Sequence, residues 1–287
     1  MFRTIRVIIA AAALCVAASP LAAKPKIDLS QQPLAERMQV EIRMPQQEII
    51  AESSQTNAMM FGGGLLGALI AAGVDNKSAK KAEGAIGPFR DKLVDTDWQK
   101  VAREAIEQGL SRDVFAPELA FSFHTTMSYE DRKAKTLAEG RRILVIVPSY
   151  AFTAQFTALK VRLDAAIVDR RIENGRLRET VLYSHASEYN WVLDGWTAKA
   201  KRPARIEAWQ AVDGAQLDAL LHEGFTGAVA MLNEQIAKGY AQRVGRVAKE
   251  PYPGAQATFK AKVVAVDGTR KTYYIGPYFK GSVDVVP

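Results

Sequence analysis

Cysteine is almost missing from this chain: Cys15 is the only one among 287 residues, and it stands inside the apolar stretch 7–18. If that stretch is removed, no thiol survives. Disulfides, cysteine nucleophiles, thiolate zinc sites and thiol redox chemistry then go together. Histidine is scarce too, with His124, His185 and His222 only, and no HExxH pattern or helical pair suits a metal. There is no GxSxG elbow and no P-loop, so those two common hydrolase and phosphotransferase signatures are lacking. No cofactor is called for by any of these patterns. A site assembled from distant residues is not excluded by them.

What is present starts at the N-terminus. Arg3 and Arg6 precede the apolar run 7–18, and Ser19-Pro20-Leu21-Ala22-Ala23 follows it. A basic start, a short apolar middle and a small-residue end make a cleavable export signal over residues 1–23, with Lys24 as the new N-terminus. The run is short for a membrane span. Leu14 stands before Cys15 where a lipoprotein signal presents a small residue, so lipid anchoring is the lesser reading. The localisation this implies is periplasmic. The full chain carries a formal charge of +7 from 38 basic and 31 acidic residues. Losing Arg3 and Arg6 would leave +5. That balance suits an anionic membrane surface or another envelope component better than nucleic acid.

With 48% hydrophobic residues, the chain can build a sizeable core. Met38, Val40, Ile42 and Met44 alternate with polar residues as a strand. Residues 78–94 read as a helix, and Thr96-x-x-Gln99 as a capping box opening another. Leu119, Phe121 and Phe123 alternate as a strand that puts His124 on its more polar side. Residues 143–147 are apolar throughout, as in a strand covered on both faces at the sheet centre. Asn174-Gly175 between residues 161–173 and 176–187 is a hairpin turn. Asp213-x-x-Gln216 opens a long helix whose Leu217, Leu221, Phe225, Ala228, Leu232 and Ile236 share one face. A basic linker over 241–254 leads to a hairpin turning at Asp267-Gly268, with 282–286 as a last strand. The fold class is α+β: a mainly antiparallel sheet with at least two helices packed against one face and a C-terminal β-hairpin unit. The organisation is 1–23 signal, 24–76 strands and glycine-rich segment, 77–240 body, and 241–287 β unit.

Two groups of residues carry a functional expectation. Counting back from the Asn174-Gly175 turn without a bulge sets Asp164 opposite His185, with Tyr183 beside them. An acid facing an imidazole orients a general base, which would make a periplasmic hydrolase; the same pair also serves as a cross-strand charge contact. The second group lies in residues 58–74, which hold no charge and five glycines. Gly62-x-Gly64-x-x-Gly67 spells a dinucleotide fingerprint, but no strand–helix–strand unit with a ribose-binding acid follows it. As a helix the segment would reach about 25 Å, short of the roughly 30 Å hydrocarbon core. Gly63, Gly67 and Ala71 would make a smooth stripe, Leu66, Leu69 and Ile70 the apolar bulk, and Lys77, Lys80 and Lys81 the contacts to anionic headgroups. The other reading is a hairpin tucked into the protein's own core.

The run Gly62-Gly63-Gly64-Leu65-Leu66-Gly67-Ala68-Leu69-Ile70, with Lys80-Lys81-Ala82-Glu83 after it, resembles Gram-negative envelope proteins that join a signal peptide, a glycine-rich apolar segment and an α/β body. The resemblance covers roughly a tenth of the chain. It implies a compartment and no activity. The function expected is therefore a non-catalytic, envelope-associated interaction protein. Intact-mass measurement of the exported protein is expected to give a chain starting at Lys24; a start at Cys15 with added acyl mass would make it a lipoprotein instead.

Overall fold

A computed structural model describes residues 27–29, 31–52, 76–139, 142–193, 200–237, 246–250, 259–274 and 279–286. The strands are β1 (Arg37–Arg43), β2 (Ile50–Ala51), β3 (Glu118–His124), β4 (Arg142–Phe152), β5 (Leu159–Glu173), β6 (Arg176–Val192), β7 (Arg246–Glu250), β8 (Phe259–Asp267), β9 (Arg270–Tyr274) and β10 (Phe279–Val285). The helices are α1 (Asn76–Leu93), α2 (Trp98–Gly109), α3 (Tyr129–Glu139), α4 (Arg202–Ala211) and α5 (Gly214–Ala237). All ten strands form one sheet in the order β3-β1-β4-β5-β6-β10-β9-β8-β7, with β2 also on β4.

The sheet is mixed and mostly antiparallel. β4, β5 and β6 run antiparallel through long ladders, as do β7 to β10. β1 lies parallel to both β3 and β4, and β10 parallel to β6. Parallel neighbours need crossovers, and here the crossovers set the layers. The chain moves outward from β1 to β3 through α1 and α2, then back across β1 to β4 through α3. Two crossovers of one hand that run in opposite lateral directions lie on opposite faces. Accordingly α1, α2 and α5 share one face, the helix face, while α3 packs on β5 and β6 from the reverse face. The expected packing of at least two helices against one face is met by α1, α2 and α5; α3, whose sequence Tyr129–Glu139 is largely polar, is not among the expected elements.

The predicted elements appear with small offsets. α2 is capped by Asp97, whose carboxylate accepts from the N–H groups of Gln99 and Lys100 at 3.1 Å. Thr96 instead donates to Asp218 at 2.6 Å, and the Gln99 amide ties α2 to the Met44 carbonyl at 3.0 Å. At α5 the expected cap holds, the Asp213 carboxylate accepting from Gln216 N–H at 2.7 Å. β4 is interior, but the middle of the strand order is β6. In the second hairpin Asp267 pairs with Arg270, so the turn is Gly268-Thr269, with Gly268 at φ 57°. β7 occupies part of the expected linker.

The core lies between the sheet and its helix face. Leu144, Ile146, Leu163, Ile167 and Trp191 meet Phe89, Ile106, Leu221 and Phe225 there. At one end Phe89, Phe152, Phe156 and Trp209 form a ring cluster, with Phe152 and Trp209 centroids 5.1 Å apart. Phe156 is held at φ 53°, and its carbonyl accepts from the Trp209 indole at 3.1 Å. Burial of that ring offsets a left-handed backbone costing about 1 kcal/mol or more.

α5 comes close to the sheet because two of its residues lack a side chain. A Cβ on Gly224 would fall 2.5 Å from Trp191 and 2.7 Å from Val161, and one on Gly227 would fall 2.3 Å from Tyr189. Alanine favours a helix over glycine by about 1 kcal/mol, but overpacking a rigid core costs about 1–3 kcal/mol. Gly224→Ala is therefore expected to destabilise the protein by up to about 2 kcal/mol in urea unfolding. Gly84→Ala in α1, where a Cβ meets nothing within 4 Å, should stabilise it by up to about 1 kcal/mol. Equal effects at both positions would refute the close-packing account.

Candidate functional site

The Asn174-Gly175 turn forms as predicted, with φ 52° and 73°, and pairs Glu173 with Arg176, Ile172 with Leu177, Arg170 with Glu179 and Val168 with Val181. The register then slips. Ile167 pairs with Tyr183, so Leu182 is an extra residue in β6, and from there Ala165 faces His185 and Asp164 faces Ala186. Side chains on a strand alternate between faces. His185 consequently lies on the helix face with Tyr183 and Ser187, and Asp164 on the reverse face. The Asp164–His185 pair expected from the turn does not exist. His185 is buried, its ring stacked 6.4 Å from that of Tyr183.

The reason for the bulge lies in the apolar residues. In β5 the helix face takes Leu159, Val161, Leu163, Ala165 and Ile167; in β6 it takes Tyr183, Tyr189 and Trp191. All are odd-numbered, whereas the turn alone pairs odd with even. Without an extra residue Glu188 and Asn190 would face the apolar side of α5, and Tyr189 and Trp191 would face the charges opposite. One bulge corrects all of these at once.

Asp164 instead belongs to a charged cluster on the reverse face. Arg162 donates to both its carboxylate oxygens, at 2.9 and 2.6 Å, and stands 3.7 Å from Glu188. Lys160 pairs with Glu52 and, at 3.5 Å, with Glu188. Lys160, Arg162, Glu52 and Glu188 are all buried. Burial is the largest influence on Lys160 and favours its neutral form, but the carboxylates of Glu188 and Glu52 outweigh it and raise its pKa above the usual lysine value. Burial likewise dominates at Glu52 and pushes its carboxyl up, against the pull of Lys160.

A second network on the same face ties three strands to α3. Arg170 has no exposed side-chain surface; it donates to both oxygens of Glu41, the Nη2 bond at 2.8 Å, and through Nε to Glu179 at 2.8 Å. Arg43 reaches Glu41 at 2.6 Å, and Arg132 of α3 reaches Glu179 at 3.2 Å. Between the two networks Ile143, Val145, Ala166 and Val168 form a small apolar cluster. In both networks the cations meet carboxylates in bidentate or shared contacts, which fixes strands.

The other expected residues fall as follows. Gly63, Leu66, Gly67, Leu69, Ile70 and Ala71 lie outside the described residues, as do residues 1–23, expected to be an export signal. Lys77, Lys80 and Lys81 fall in the first turns of α1. The three histidines stand apart: His124 on the reverse face of β3, 3.1 Å from Lys135; His185 on the helix face of β6; His222 on α5, 3.4 Å from Asp218. Among the described residues no three His, Cys, Asp or Glu side chains converge as metal ligands. None of the helices among them is long and apolar enough to cross a membrane. Tyr183, Tyr189, Trp191 and Tyr273 are buried. The Tyr189 hydroxyl donates to Glu223 at 2.9 Å under an Arg270 guanidinium 3.8 Å from the ring centre. An open groove runs between α2 and β3, lined by polar side chains from Asp97 to Glu107 and by Phe123.

No protein-family model matches the chain, and no curated protein matches it in sequence.

The Glu41–Arg170 contact has a pH signature. Burial alone would raise the Glu41 pKa, but Arg170 and Arg43, by hydrogen bonds and charge, outweigh it and hold the carboxyl below its ordinary value. A folded pKa below the unfolded one adds stability above the unfolded value, and that stability is lost as pH falls through the folded value. Glu41→Gln is expected to cost about 3 kcal/mol at neutral pH and to flatten the fall in stability between about pH 7 and pH 3. Glu52 acts in the opposite direction and is common to both proteins. Urea unfolding across that range checks this; an unchanged acid slope in the variant would dissociate Glu41 from the effect.

Proposed function

We propose that this chain is a non-catalytic, exported protein of the cell envelope, and that its body holds residues 58–74 as a contact element for an anionic membrane surface. One juxtaposition carries the reading: an uncharged, glycine-rich stretch with three lysines behind it is bracketed by two elements fixed to the sheet. Before it, β2 lies on β4 and the N–H of Glu52 donates to the Phe152 carbonyl at 2.9 Å. Behind it, α1 contacts β2 and anchors itself through buried Ile86, Phe89 and Leu93. An apolar segment with basic neighbours suits the interface of anionic lipid, where each lysine near the surface adds about 1 kcal/mol. The export signal at 1–23 supplies the compartment in which such a surface is met. The hydrolase reading loses its support, because Asp164 and His185 occupy opposite faces of the sheet.

Vesicle flotation tests the proposal. The exported protein is expected to float with anionic vesicles and not with neutral ones. Gly67→Asp and a deletion of residues 58–74 should both stay at the bottom while keeping the circular dichroism of the parent. A parent protein that stays in the soluble fraction with both vesicle types overturns the membrane assignment.

A further inference from the structure

We infer that β3 is the dimerisation edge of this protein, pairing antiparallel with β3 of a second copy about a two-fold axis through Phe121. β3 ends the strand order, and among the described residues its sole strand partner is β1. Its sequence, Glu-Leu-Ala-Phe-Ser-Phe-His, contains no lysine, proline or glycine and no bulge is present in its ladder with β1. Those are among the devices by which sheet edges are kept from pairing, and the one formal charge on this strand, Glu118, stands at its end.

The backbone directions fit the pairing. Glu118 N–H donates to the Glu36 carbonyl, and the His124 carbonyl accepts from Met44 N–H, so the even-numbered residues of β3 point toward β1. Alternation turns the N–H and C=O groups of Leu119, Phe121 and Phe123 outward. A two-fold axis at Phe121 matches Leu119 with Phe123 of the copy, and Phe121 with its own equivalent. Outward-facing residues thus meet outward-facing residues, the arrangement in which each pair exchanges both of its backbone hydrogen bonds.

The side chains fit as well. Leu119, Phe121 and Phe123 are half-buried against the core on the helix face, and the pairing continues that apolar row across the axis. On the reverse face Ala120 meets Ser122, and Glu118 meets His124, with Lys135 beside the imidazole. Glu118 is already ion-paired to Arg37 at 3.2 Å, an exposed contact that a cationic neighbour would extend. A seven-residue strand that is self-complementary in size about its middle residue, with the Lys135 ammonium beside His124 to meet Glu118 of the copy, suits a second copy of itself, the isologous case, better than an unrelated peptide. Beside it, α2 presents Lys100 with Glu104 and Arg103 with Glu107, rows of both signs that also tolerate meeting their own copy.

The exported protein, produced from the full chain carrying Cys15→Ala, is the material for the test. Sedimentation equilibrium is expected to show a dimer, and Phe121→Lys, which sets two ammonium groups face to face on the axis, should sediment as a monomer. Phe121→Cys is expected to form an intermolecular disulfide in air far faster than Val94→Cys, since Val94 is exposed elsewhere and cysteines in a hydrogen-bonded antiparallel pair stand about 5.5 Å apart at Cα, within disulfide reach. The cysteine comparison stands even if the lysine variant fails to fold. A parent that remains monomeric at every concentration overturns the proposal. So does a dimer whose cysteine at 121 crosslinks no faster than one at 94.

Discussion

The extra residue Leu182 in β6 is the constraint on which the other features depend. A hairpin turn fixes register, and register fixes which face every side chain occupies, so a single inserted residue exchanges the two faces for the remainder of the strand. Here the exchange puts Tyr189 and Trp191 against α5 and sends Glu188 and Asn190 to the side that already carries Lys160 and Arg162. Left in the turn's own register, aromatic rings would sit among buried ions and a carboxylate would sit in the apolar core. Each unpaired buried charge costs several kcal/mol. A local bulge costs far less than that.

With the faces sorted, two different kinds of interior become compatible with one sheet. The helix face is apolar and tolerates no intrusion, which is why Gly224 and Gly227 are needed where α5 crosses Trp191 and Tyr189. The reverse face is stabilised by directional contacts, with Arg170 linking β1, β5 and β6, and Arg132 carrying that network into α3. A guanidinium in a bidentate contact fixes two strands in one relative position, whereas packed aliphatic groups permit sliding. The charged clusters therefore specify register as well as contribute stability.

Much of the local structure is legible in the sequence because its signals are short-range. Alternation over residues 38–44 and 119–123, the Asn174-Gly175 turn and the Asp213 cap each depend on residues a few positions apart, and each forms as expected. The misses have the same origin. α3 is too polar to show a core-facing stripe, since its role on the reverse face is met by Tyr129 and Arg132 reaching the backbone and an ion pair. Thr96 and Asp97 are both competent caps, and the competition was decided by Asp218, which lies on a helix more than a hundred residues away and engages Thr96.

The Asp164–His185 pair shows how far a strand argument reaches. Its failure was itself written in the chain, since the apolar residues of both strands are odd-numbered while the turn pairs odd with even; finding it requires comparing two strands with a third element, the apolar face of α5. By itself the sequence determined the near absence of thiols, the α+β composition, the hairpin turn and the helix with one apolar face, because these follow from composition and neighbours along the chain. Tertiary structure alone decided the parallel placement of β1 between β3 and β4, the burial of two ion networks on one face, the separation of Asp164 from His185, and the place of β3 at the end of the strand order among the described residues. Those depend on which segments meet across long sequence separations, where burial of apolar surface and the cost of unpaired charge outweigh any local preference.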